Sequence, residues 1–232
     1  MKRADRASSP PDKDASMANM KFYMTPGSCS TAIHILLEEL EETFEAHIVN
    51  LPAGDHLRPE YVAINPKSTI PVLVRRDGTA LTEMVAIAYW LGLSHPRSAL
   101  WPQDAERQTR LIEAMAYIVA TVHGQGFQRI FATANFARAP EEQARVRGVG
   151  RDIVLQGFSV LSAALADAPY LAGGFSIADP LLFYVEFWAD KTEIALPPNL
   201  AAHYLRMLQR PAVDRVLREE GYDTKALGSA YR

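Results

Sequence analysis

The stretch from Ser94 to Asp104 (Ser-His-Pro-Arg-Ser-Ala-Leu-Trp-Pro-Gln-Asp) divides two kinds of periodicity, and that change limits what the chain can fold into. Before it, strand and helix signals alternate. Lys21-Phe-Tyr-Met24 is a short β-prone run stopped by Thr25-Pro-Gly27, and Ser30 to Glu42 carries Ile33, Leu36, Leu37 and Leu40 at helical spacing. Glu45 to Asn50 returns to strand character, a polar stretch from Pro52 to Pro66 leaves room for a short helix, and Pro71-Val-Leu-Val74 is a third strand. Asp77-Gly78 is a hairpin signal leading to Thr79-Ala-Leu81, after which Thr82 to Leu93 is helical, with Val85, Ala88, Tyr89 and Leu91 expected inward.

Beyond the prolines only helical periodicity remains. It runs over Ala105 to Phe136, Glu141 to Ala168, Ala178 to Lys191, Ala201 to Leu208 and Ala212 to Glu220, with Pro140, Pro169, Pro197-Pro198 and Pro211 between the segments. A βαβ unit followed by ββα, and then helices alone, predicts an α/β plus all-α architecture. A thioredoxin-like N-terminal domain over 20–96 precedes an all-helical C-terminal domain over 104–220. Residues 1–19, rich in charge, Ser and Pro, cannot bury enough apolar area to offset the entropy of ordering and are expected to be a disordered tail without assigned function.

Bulk properties narrow the function. The 232 residues are 48% hydrophobic, enough for one large core or two small ones, and the net charge of −3 argues against a nucleic-acid surface. No apolar run approaches the roughly 20 residues that span a bilayer, so no membrane partner is expected. A single cysteine excludes an internal disulfide framework and a four-thiolate zinc site and fits a reducing cytoplasm. No His, Cys or carboxylate cluster has metal-ligand spacing along the chain, so no metal is expected.

Three local features carry chemistry. Cys29, in Thr25-Pro-Gly-Ser-Cys-Ser-Thr31, stands where the first strand meets the first helix, and amides and dipole at a helix N-terminus favour a thiolate. Ala32 occupies the place of a second thiol, so no Cys-x-x-Cys pair exists. In Asn65-Pro-Lys-Ser-Thr-Ile-Pro71, the Ile70-Pro71 step before a strand is a place for a cis bond that leaves the Ile70 backbone groups free to pair with an extended peptide. Glu83, at the start of the next helix, either complements the helix dipole or holds an ammonium group of a ligand.

In order and spacing, Lys21-Phe-Tyr-Met-Thr-Pro-Gly-Ser-Cys-Ser30, Asn65-Pro-Lys-Ser-Thr-Ile-Pro71 and Asp77-Gly-Thr-Ala-Leu-Thr-Glu83 resemble the glutathione transferases, and most of all the bacterial beta class. Gly173-Gly-Phe-Ser-Ile-Ala-Asp179 is similar to the family's Gly-x-x-Ser-x-x-Asp motif, a capping box with Ser176 as N-cap and Asp179 reaching back. The resemblance covers about residues 20 to 220. It implies a cytoplasmic homodimer that conjugates glutathione to hydrophobic, electrophilic small molecules or acts on glutathione mixed disulfides. It also leaves open a non-enzymatic binding protein and a glutathione-dependent isomerase or dehalogenase. Cys29 would meet the ligand sulfur, Ile70 and Pro71 its cysteinyl backbone, and Glu83 its γ-glutamyl end. The co-substrate pocket would take side chains from Tyr117 to Phe131.

Three departures stand out. Met84 occupies the place where the family has Ser, and offers the ligand only a backbone N–H. Ungapped alignment to the beta-class His-Lys pair falls on Gly124 and Gln125, with His123 one residue early, about 100° around an ideal helix; His123 therefore reads as an ordinary helix histidine. Pro180 follows the capping box and, counted as the fourth helical residue, is expected to remove a hydrogen bond. The tryptophans Trp90, Trp101 and Trp188 and the set Phe127, Phe131 and Phe136 are expected in the core or an interface.

Overall fold

A computed structural model describes residues 19–232, so the expected tail lies almost wholly outside the described residues. The first part is a four-stranded sheet. Strand β1 (Met20–Met24) pairs in parallel with β2 (Phe44–Ile48) and antiparallel with β3 (Val72–Val74), which pairs antiparallel with β4 (Ala80–Thr82). Helix α1 (Thr31–Glu39) makes the crossover between the parallel strands, the short α2 (Pro59–Val62) precedes β3, and α3 (Met84–Ser94) follows β4. This is the thioredoxin-like layer expected from the order of periodicities.

One face of α3 differs from the expectation. Its buried residues are Met84, Ile87, Ala88, Leu91 and Gly92, whereas Tyr89 is exposed. Tyr89 instead lies edge-on to Trp101, with ring centroids 5.1 Å apart. The mean hydropathy of this helix is high all round, so its pattern alone does not select a single inward stripe.

The remainder is helical. Helix α4 (Ala105–Tyr117) is capped by Asp104, whose carboxylate accepts from the Arg107 amide at 2.9 Å. It runs on into a π-helical stretch over Ile118–Phe127 and the short α5 (Gln128–Phe131), and ends at Ala132 rather than continuing to Phe136. Helices α6 (Pro140–Leu165), α8 (Pro198–Leu208) and α9 (Pro211–Glu219) each begin on the proline that the sequence marks as a break. Proline suits that position because its missing N–H would have no partner there and its fixed φ is already helical.

Helix α7 (Ala178–Lys191) is the centre of the molecule, with every residue from Ala178 to Ala189 buried. Its entry is the capping box, displaced by one residue from the expected register: the helix starts at Ala178, so Ile177 is the N-cap. Asp179 Oδ2 accepts from the Ser176 amide at 2.7 Å and its hydroxyl at 2.9 Å, while Oδ1 accepts from the Leu171 amide at 2.9 Å. The shift also disposes of the expected cost of Pro180. As the third helical residue it falls among the first four N–H positions, which have no intrahelical partner anyway.

Helix α6 lies close against the π-helical stretch because glycines permit it. A Cβ on Gly157 would stand 2.6 Å from Val122 Cγ2, and one on Gly150 would stand 2.8 Å from the Gly126 carbonyl. The contact fixes the segment that carries His123. Among the described residues, no helix is long and apolar enough to cross a membrane.

Candidate active site

Between the sheet layer and the helices lies an open cavity of about 990 Å³. Its floor is the loop from Thr25 to Cys29, one wall is Lys67 to Ile70 with Glu83 and Met84, and the opposite wall is helical, including Val119, His123, Phe131 and Trp188. Four of the five residues singled out in the sequence, Cys29, Ile70, Glu83 and Met84, line this one space, and the fifth, Pro71, is buried next to Ile70. The 117–131 stretch contributes Val119, His123, Gln128 and Phe131.

The Ile70-Pro71 peptide bond is cis, as the sequence suggests. The Ile70 amide makes no hydrogen bond among the described residues, and its carbonyl oxygen lies 3.8 Å from the Cys29 sulfur. A free N–H and a nearly free C=O on one residue beside a strand form a docking edge for an extended backbone.

Glu83 precedes the first turn of α3 rather than sitting within it, and its φ of +70° is a costly conformation for a residue with a Cβ. That backbone turns its carboxylate outward, 59% exposed, to meet Lys67 Nζ at 2.8 Å; Lys67 also donates to Thr82 Oγ1 at 2.9 Å. An ion pair this exposed is worth little, so an incoming ammonium group can displace the lysine at small cost. Met84 begins α3 and is buried, so the side chain that stands in for a hydroxyl closes the cavity wall.

Cys29 reverses its expected electrostatics. It is 7% exposed, and burial pushes its thiol up to about 12, against smaller lowering effects from the amides of Cys29 and Ser30; Glu83 adds a further small rise. Charge is destabilised by desolvation more than the helix start favours it, because α1 begins two residues later, at Thr31, and helical side chains roof the thiol. The resting site holds a thiol at neutral pH.

His123 also departs from its expected place. The π-helical turns are wider than α-helical ones, so the 100° step of an ideal helix does not apply, and the imidazole faces the cavity. It packs edge-on against Trp188, centroids 4.9 Å apart, with Nδ1 3.3 Å from the Tyr184 hydroxyl. Burial lowers its pKa to about 4, so it is neutral near pH 7. Trp188 and Phe131, expected in the core or an interface, line the cavity and stack edge-on with each other at 5.1 Å.

The strongest constraint on the thiol loop was not visible in the sequence at all. Gly27, two residues before Cys29, is held from the far end of the chain. Its amide donates to Glu220 Oε2 at 2.7 Å and its carbonyl accepts from the Trp188 indole at 2.8 Å. Its φ is +70°, and a Cβ there would lie 1.8 Å from the Tyr222 hydroxyl oxygen. The same Glu220 oxygen accepts from the Thr31 hydroxyl at 2.7 Å, and its other oxygen meets His34 Nδ1 at 2.9 Å. Glu220 has no local signature, since its partners lie 186 to 193 residues away.

Known proteins share this fold. The model of the glutathione S-transferase N-terminal domain matches residues 27–93. Glutathione S-transferase GstA of Escherichia coli O157:H7 is 34% identical over 211 residues, which span 87% of this chain and 99% of the relative. A glutathione transferase homologue from Sulfitobacter, solved with bound glutathione, superposes with a TM-score of 0.80 at 26% identity, covering 88% of this chain and 99% of that one. The bacterial beta class glutathione S-transferase of Sphingomonas chungbukensis superposes with a TM-score of 0.74 at 29% identity, covering 87% and 98%. With a cis-proline docking edge, an acid at positive φ and a relative matched over nearly its whole length, this chain belongs to the glutathione S-transferase family.

Proposed function

We propose that this chain binds glutathione in the 990 Å³ cavity and conjugates it to hydrophobic electrophiles. The reading rests above all on the unpaired amide of Ile70, which lines the same cavity as Cys29 and Glu83. Ile70 pairs with the cysteinyl backbone of the tripeptide. Glu83 exchanges Lys67 for the γ-glutamyl ammonium, and the unpaired first-turn amides of α3, that of Met84 included, receive its carboxylate. His56, whose Nδ1 is buried without a hydrogen bond, lies on the cavity with Lys67 and suits the glycyl carboxylate.

With its pKa near 12, Cys29 acts as an S–H donor to the glutathione sulfur, which lowers the cost of the bound thiolate. The thiolate attacks the electrophilic carbon and a C–S bond forms while the leaving group departs with its electron pair. Val119, Phe131 and Trp188 supply the apolar wall for the electrophile, and neutral His123 stands among them as a polar contact. Exchange with mixed disulfides needs Cys29 itself as thiolate, and its burial disfavours that route.

The test is calorimetric titration of reduced glutathione into the wild-type protein and Cys29→Ala, followed by conjugation assays with an activated aryl halide. Micromolar binding in both, with slower conjugation in Cys29→Ala, is the expected result. No heat at millimolar glutathione sinks the proposal and leaves a binding protein that has lost the tripeptide, as the Met84 replacement would favour. We further propose a cytoplasmic homodimer, supported by exposed Tyr89 and Leu93 on α3 and Ile112 on α4. Sedimentation at the monomer mass would refute the dimer.

A further inference from the structure

A second pocket, of about 480 Å³, shares only Pro26 with the glutathione cavity and is lined in part by His34, Glu38, Glu42, Glu219 and Glu220. His34 and Glu38 are one helical turn apart on α1, and Glu219 comes from the end of α9. One ligating atom from each of these three lies within 4.8 Å of the others. Reading the chain linearly could not find this set, because the third member is 181 residues from the second along the chain (219 minus 38).

The imidazole is prepared for a cation in three respects. Its side chain is only 5% exposed. Its Nδ1 faces Glu220 Oε1 at 2.9 Å; a carboxylate only accepts, so Nδ1 carries the hydrogen. That leaves the Nε2 lone pair of the neutral ring directed at another acceptor, Glu219 Oε2, at 3.4 Å and without a hydrogen bond. Two acceptors facing each other at this distance offer a place for a cation between them. The separation suits a metal: with bonds of about 2.0–2.2 Å in a tetrahedral shell, two ligand atoms on one zinc ion stand about 3.4 Å apart. The Glu220–His34 pairing is also the carboxylate–histidine support that orients metal-binding imidazoles.

We propose that His34, Glu38 and Glu219 form a divalent transition-metal site of the zinc class, with the fourth position left to water and Glu220 as its supporting carboxylate. One imidazole with two carboxylates suits zinc, and disfavours magnesium and calcium, which take oxygen ligands. Glu38 offers one free oxygen, since its other accepts from Arg215 at 2.6 Å. The site is not part of the reaction. Its effect is on the loop, because the carboxylate that orients His34 also holds Gly27 and Thr31 on either side of Cys29.

The test uses the full chain in a Cys29→Ala background, so that the thiol cannot take the metal. Zinc chloride is titrated against a chromogenic chelator, and circular dichroism verifies the fold of each variant. One equivalent of zinc, bound at least about tenfold more weakly in Glu219→Gln and in Glu38→Gln, is the expected outcome. Both substitutions are at positions outside the glutathione cavity, and Glu219 is half-exposed, so Glu219→Gln reads the site without threatening the fold. Absence of stoichiometric binding, or a loss of less than tenfold in Glu219→Gln, overturns the proposal. Glutathione binding is measured separately on the metal-free protein, so failure of one reading does not touch the other.

Discussion

At Cys29 the whole difference between a reactive and a resting thiol is one of burial. Alkylation by iodoacetamide is expected to be slow at pH 7 and to accelerate as the pH is raised from about 9 towards 12, because only the thiolate attacks. A rate that is already at its plateau at pH 7 would contradict the buried thiol. Two residues earlier, Gly27→Ala combines a positive φ with a collision against the Tyr222 hydroxyl. We expect it to destabilise the protein by about 1–3 kcal/mol and to abolish conjugation, since overpacking and loop displacement act together. Wild-type-like denaturation and turnover would show that the loop tolerates the move. The sequence pointed to Cys29, Ile70, Pro71, Glu83 and Met84 because each sits at a strand or helix boundary, where local chemistry fixes backbone geometry, and four of them line one cavity. It did not reveal the thiol's pKa, which depends on which side chains from Val119 onward cover it. Nor did it reveal the grip on Gly27, whose partners are far along the chain.

At the scale of the element, the α7 entry shows both the reach and the limit of local reading. The Ser176–Asp179 box was legible because its spacing encodes its hydrogen bonds, and only the register of the helix start differed. What spacing could not show is the charge beneath it. His203, on α8, lies with Nδ1 2.8 Å from Glu186 Oε2 and Nε2 3.4 Å from Asp179 Oδ1, all three side chains fully buried. Burial opposes a charge on His203, but the two carboxylates outweigh it and hold its pKa up to about 9. A raised histidine stabilises the fold fully below its unfolded value near 6.5, and that contribution is lost as pH rises through 9. Cys29 acts in the same direction, since the unfolded chain releases its thiol proton near 9 while the folded one keeps it. Urea denaturation in the Cys29→Ala background is therefore expected to give a lower midpoint at pH 10 than at pH 6, with a smaller difference in His203→Gln. An equal difference in the two proteins would remove His203 from the account. At the π-helical stretch spacing misleads: an ideal helix turns about 100° per residue, whereas these wider turns, packed against Gly150 and Gly157, put the His123 ring on the cavity.

Across the molecule, the sheet layer supplies the docking edge and the helices supply its roof, and Glu220 joins them. Ion pairs between Glu39 and Arg210, with Nε–Oε1 at 2.6 Å, run along the same seam of α1 and α9. Glu220→Ala leaves the Gly27 amide and the Thr31 hydroxyl without their acceptor, at a cost of about 1–3 kcal/mol for each buried group so stranded. The expected outcome is a lower melting temperature together with a fall in kcat that exceeds any rise in KM for glutathione, since Ile70 and Glu83 are untouched. A change in KM alone would mean that Glu220 merely braces the binding wall.

That long reach has a consequence for the protein while it is being made. Gly27 and Glu220 are 193 residues apart, and at about 5–20 residues per second the ribosome adds that length in roughly 10–40 s. In the later part of that interval, once β4 and α3 have been made, the nascent sheet layer can form with its thiol loop unclasped and Cys29 uncovered. The newborn chain thus passes through a period in which its one cysteine is open to oxidants and metals from which the finished protein shields it.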